Sequence, residues 1–263
     1  MIAMDENGFL DGRIQFWIDS QRTSHRDIIE RAQELNRDCH RFLDDLAVDL
    51  GNGKQVVTTV LFARVVELYQ SIIIVSGRGM AATTRILSRA FLEACFHFFA
   101  IQRDSEYLND YLNQFLIQKR KLLKRIRRSE SPHMEHLRKA ATDELLLETD
   151  WAINEEGGRE ISIEEVAKRA EMVDTYFTAY AVLSRAVHSG ISDIDNHIYA
   201  NAETKEFEGF KYGPSSEETV RAICLSSMTL AEALELASRT FGEDRKALSA
   251  AYKEEFQSFL NRK

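Results

Sequence analysis

Apolar residues recur at helical spacing along nearly the whole chain. Ile28, Ile29, Ala32, Leu35, Cys39, Phe42, Leu43, Leu46 and Leu50 form one stripe, which predicts a helix from about 24 to 50. Ser24 supplies an N-cap, Asp27 an acid in the first turn, and Gly51-Asn52-Gly53 a stop that tolerates positive φ,. The next two segments, about 55–76 and 80–101, are apolar on most sides and meet at Gly77-Arg78-Gly79. That pattern predicts two buried, adjacent helices forming an antiparallel hairpin.

Further helices are expected over about 105–128, 134–149, 162–170, 175–188, 215–241 and 243–260. Ser162 followed by Glu165 has the capping-box pattern, and Asp174 caps the segment after it,. In HIYANAETKEFEGFKY, apolar and polar residues partly alternate, so a small β-hairpin is expected near 196–213,. Residues 1–20 read as an arm whose Ile14, Phe16, Trp17 and Ile18 dock on the body or on a second subunit. Residues 21–263 read as a single helical domain. The expected fold is all-α, a multi-helix bundle of about seven to eight helices.

Composition agrees with this pattern. Pro132 and Pro214 are the only prolines in 263 residues, which leaves room for long unbroken helices,. The most apolar stretch, 56–75, is interrupted by Arg64, Glu67 and Gln70. Those groups are costly in lipid, so a core helix is expected and no membrane contact. Cys39, Cys95 and Cys224 lie far apart in apolar helical contexts and read as buried thiols of a cytoplasmic protein,. A net charge of −8 argues against an overall basic nucleic-acid binder, although it leaves room for a local patch,.

Four features carry candidate chemistry. Arg85, Arg89, Glu93 and His97 recur every fourth residue, a polar stripe on an otherwise apolar helix,. The commoner reading is an internal ion-pair network in which Arg89 binds Glu93 and Glu67 of the neighbouring helix. The sharper one is a pocket for an anionic ligand. Tyr176, Tyr180, Ser184 and His188 share a face of a later helix, with Arg185 one turn before His188. His188 either complements the helix dipole or acts as general acid or base, with Arg185 stabilising phosphorane charge. In the tail that follows, His188, Asp193, Asp195 and His197 match no standard metal-site spacing,. No metal and no cofactor is expected. Lys119, Arg120, Lys121, Lys124, Arg125, Arg127 and Arg128 make KRKLLKRIRR strongly basic, either a solvated helix face or a nucleic-acid-binding patch,.

Two segments, RILSRAFLEACFHF with its Arg-x-x-x-Glu and YAVLSRAVHSG with its Ser-x-x-x-His, resemble a bacterial all-helical family of unknown function. The resemblance spans roughly 55 to 240 and implies an α-helical bundle. The Arg185–His188 pair is also similar, more distantly, to the Arg…His motif of HEPN ribonucleases, with a shorter interval than that family uses. HEPN ribonucleases are helical dimers whose arginines and histidines meet at the subunit cleft. The likeness implies a metal-independent ribonuclease, acting as a toxin or phage-defence component, that works as a homodimer on RNA. The alternative is a non-catalytic helical module that binds a partner protein or a small anionic ligand.

Overall fold

The computed structural model describes residues 7–187, 194, 196–201, 203–211, 213–216 and 218–262. Among them eleven helices and one two-stranded antiparallel sheet are formed. The chain is therefore all-α, with more helices than the expected seven to eight. The helices are α1 (Ile14–Ser24), α2 (Arg26–Asp44), α3 (Gly53–Gly77), α4 (Ala81–Arg103), α5 (Tyr107–Arg128), α6 (Glu135–Ala140), α7 (Asp143–Glu155) and α8 (Ile163–Arg169). Next comes α9, in which Val173–Thr175, Tyr176–Tyr180 and Ala181–Val187 run on without a break, and then α10 (Thr219–Thr240) and α11 (Lys246–Leu260).

Local signals explain the higher number. The arm carries α1, whose Ile14 is buried. The segment expected as one helix over 134–149 is split, because Thr142 leaves the helical conformation and its side chain caps the amide of Leu145, starting α7,. The first long helix starts at Arg26 and ends at Asp44, six residues before Leu50. Asn52, rather than the glycines beside it, then caps α3 by accepting from the amide of Gln55.

The core forms around the α3–α4 hairpin, covered by α2, α8, α9, α10 and α11. Phe62, Tyr69, Phe96 and Phe98 are fully enclosed, and each such ring stabilises the fold by about 1.5–3 kcal/mol relative to exposure. Tyr69 carries its hydroxyl into this core. It reaches Ser227 at 2.8 Å and donates to the Ala32 carbonyl at 3.2 Å, tying α3 to α10 and α2,. By length and composition α3 could cross a membrane, but Leu61, Val65, Leu68 and Ile72 are buried in this core. Cys39, Cys95 and Cys224 are all buried thiols.

Gly79 makes the hairpin's close turn. Its φ is +73°, and an added Cβ would lie 2.7 Å from the Cβ of Pro214 and 2.8 Å from the Ser215 amide nitrogen. Glycine is required both for the backbone conformation and for the approach of 214–215. A second, smaller cluster holds the α5–α7 layer: Leu123, Ile126 and Ala141, with Met134, Leu145 and Leu146 against them. The strands β1 (Ile198–Ala200) and β2 (Phe207–Phe210) form the expected hairpin, with a register shift between Tyr199 and Ala200.

Candidate functional site

The polar stripe of α4 faces α9. Arg89 is its centre, and every nitrogen of its guanidinium is engaged. Nε donates to Ser184 Oγ at 3.3 Å, Nη2 to the Tyr180 hydroxyl at 2.7 Å, and Nη1 lies 3.0 Å from Glu93 Oε2. Tyr180 in turn donates its hydroxyl to Glu93 Oε2 at 3.1 Å, closing a ring of three groups. Ser184 donates its own proton to the Tyr180 carbonyl at 2.8 Å, which leaves its oxygen free to accept from Arg89,. The guanidinium carbon also sits 4.9 Å from the centre of the Tyr180 ring, within cation–π range,.

Burial, with Glu93 beside it, pushes the Tyr180 hydroxyl up to about 12. The phenol therefore keeps its proton at neutral pH and remains a donor to Glu93. Its helix contains a π-turn over Tyr176–Tyr180. Such wider turns often mark functional positions. Here the Tyr176 and Tyr180 rings stack with centroids 5.3 Å apart, and both pack against Phe96 of α4. Neither the π-turn nor this stacking was visible in the residue pattern, because a single-residue change in helical register leaves no composition signal.

The rest of the stripe has separate surroundings. Arg85 is buried near Glu218, 3.8 Å away. His97 lies with its Nδ1 2.7 Å from the Tyr107 hydroxyl and its ring against Tyr111. Burial holds its pKa below the ordinary histidine range, although Glu93 one turn earlier pulls the other way,. Tyr107 and Tyr111 complete this pair of contacts from α5 and were not singled out in the sequence. The expected contact of Arg89 with Glu67 is corrected: Glu67 lies on the exposed side of α3, where it pairs with Arg64 at 3.1 Å. The buried stripe of α3 is apolar, so a carboxylate there would have lost its hydration.

Arg185 is exposed on α9, about 100° round the helix from Ser184, and among the described residues it forms no ion pair,. His188, Asp193 and Asp195 lie outside the described residues. Among the described residues no three His, Cys, Asp or Glu side chains converge as metal ligands.

The basic segment is partly neutralised. Arg120 lies 3.5 Å from Asp150, Lys121 pairs with Glu160, and Arg127 pairs with Asp143. Lys119, Lys124, Arg125 and Arg128 form no ion pair among the described residues. A shallow cleft of about 360 Å³ opens between Asn52, Lys54, Gln102, Leu236, Arg239 and Thr240. It lies at the other end of α4, about 20 Å of helix rise from Arg89, so it is no part of the Arg89 site.

No curated protein and no solved structure matches the chain. One family model does, over residues 55–206. That span begins in α3, includes Arg89, Glu93, Tyr180 and Ser184, and ends inside the β-hairpin. The chain belongs to DUF5677, a family of unknown function.

Proposed function

We propose that this protein is a metal-independent ribonuclease of HEPN-like kind, working at the outer side of α9 in the cytoplasm as a toxin or phage-defence component. The observation that carries this reading is the division of labour on α9. Its inner side is fixed to α4 by Arg89, while Arg185 is exposed and forms no ion pair among the described residues. A rigid element that presents an unpaired guanidinium is what stabilisation of a phosphorane requires.

In this reading, His188 takes the proton from a ribose 2′-hydroxyl. That oxygen attacks the adjacent phosphorus, Arg185 holds the developing charge, and the P–O5′ bond breaks as the imidazolium returns its proton to the departing 5′-oxygen. The products are a 2′,3′-cyclic phosphate and a 5′-hydroxyl. Two copies meeting at this side of α9 when RNA is bound would supply the homodimer, so no α9 dimer is expected of the RNA-free chain. The Arg89–Glu93–Tyr180–Ser184 group acts as a brace rather than as an anion pocket, since each nitrogen of its guanidinium already has a partner within the group.

The test is cleavage of a mixed RNA pool in the presence of EDTA, with the ends of the products analysed. Cleavage that yields 2′,3′-cyclic phosphate and is lost in both His188→Ala and Arg185→Ala supports the reading. Full activity of purified His188→Ala, or no cleavage by the wild-type chain, overturns it. The second reading, a non-catalytic module that binds a partner, is favoured by one observation: apolar side chains stand exposed on the α5–α7 layer.

A further inference from the structure

α5 and α7 run antiparallel as a pair. The Asn113 side chain donates to the Glu156 carbonyl at 2.9 Å, and Arg120 and Arg127 reach Asp150 and Asp143. Those contacts use one side of each helix, so the opposite sides form the two outer edges of the layer. At 100° per residue, Phe115, Gln118, Leu122 and Arg125 lie opposite the α7-facing Asn113, Arg120 and Arg127 of α5,. On α7, Leu147 and Trp151 are one turn apart, about 120–160° round the helix from the buried Thr149 and Ile153, with Glu144 and Glu148 beside them,.

Both edges are apolar at the centre. Phe115 is 70% exposed and Trp151 66%, with Leu122 and Leu147 similarly open. Their charges are opposite in sign: Lys119 and Arg125 flank the α5 edge, and Glu144 and Glu148 flank the α7 edge. None of these four forms an ion pair among the described residues. A soluble helix pair that keeps large apolar groups on its outer edges is normally covered. Here the matching cover for each edge is the other edge of the same layer.

We propose that the α5 edge of one copy docks on the α7 edge of a second copy, Phe115 and Leu122 against Leu147 and Trp151, with the four flanking charges paired across the contact. Because different surfaces meet, the contact is head-to-tail. It leaves one edge open at each end, so assembly proceeds past the dimer unless the ring closes. This contact is separate from the outer side of α9 and does not depend on the ribonuclease reading.

Sedimentation velocity over a concentration series tests it, with Leu122→Glu and Trp151→Ser as variants. Both positions are on the surface, and an unchanged urea midpoint confirms that each variant folds. The wild-type chain is expected to gain mass with concentration and to lose it as salt screens the flanking charges. Each variant alone should stay monomeric. Mixed in equal amounts, the variants should give a species of two protomers that grows no further, since each retains the edge the other needs. Four results would overturn the proposal: a wild-type chain that stays monomeric, association that survives both substitutions (as a dimer through α9 would), variants that remain monomeric when mixed, or α5 instead holding RNA or anionic vesicles in a Leu122-dependent way.

Discussion

Replacing Arg89 with methionine keeps most of the side-chain volume and removes the charged fork that joins α4 to α9. The bond to the Tyr180 hydroxyl is charge-assisted, and such bonds contribute about 1.5–3 kcal/mol when fully desolvated. Arg89 is 24% exposed and Glu93 38% exposed, so water screens part of that value. The i,i+4 pair with Glu93 adds about 0.3–0.5 kcal/mol, and the cation–π contact about 0.5–1 kcal/mol. The Ser184 contact at 3.3 Å is weak,. Tyr180 keeps Glu93 as an acceptor, so no buried donor is stranded. The expected loss is about 2 kcal/mol, or a fall in Tm of about 4–8 °C for a chain of this size. Urea denaturation of the wild type, Arg89→Met, Tyr180→Phe and the double variant measures both the loss and the coupling. Residues sharing a bond should couple by about 1 kcal/mol. Additive single losses, or an Arg89→Met protein as stable as the wild type, would show that the ring of Arg89, Glu93 and Tyr180 does not hold the two helices together.

Other outcomes follow from the same geometry. The pKa of His97 is lowered in the fold by burial, so the unfolded chain binds its proton more readily. Its contribution is present above the unfolded value of about 6.5 and is lost as pH falls below it. His97→Gln should therefore flatten the decline in urea midpoint between about pH 7 and 5, and an unchanged slope would contradict this. Gly79→Ala places a methyl against Pro214 at a φ of +73° and should cost about 1–3 kcal/mol, seen as a lower Tm,. Tyr69→Phe removes a buried hydroxyl from the junction of α2, α3 and α10. It should cost about 1–2 kcal/mol in the same urea assay.

Much of the helical architecture was legible from the chain itself. The two segments apolar on most sides were expected to be buried neighbours, and α3 and α4 are the central hairpin. The alternation in 196–213 is the β1–β2 hairpin, and Ser162 caps the start of α8, while Glu165 turns to Arg159 and Arg169. Element ends were less legible. Thr142 and Asn52 act as caps through single side-chain bonds, whereas α2, expected to start at a Ser24 cap, starts without a side-chain cap.

Side-chain periodicity determines which residues share a face, because the helix repeat is a property of the local backbone. The spacing alone thus put Arg85, Arg89, Glu93 and His97 in one row, and Tyr180 and Ser184 in another. Which rows meet is decided by packing between elements far apart in sequence. Only the tertiary structure turned Glu67 outward, set Tyr180 rather than Glu67 against Arg89, and neutralised part of the basic run of α5 with acids from α7 and from the loop before α8. Those pairings depend on distances across the fold, and no local pattern encodes them.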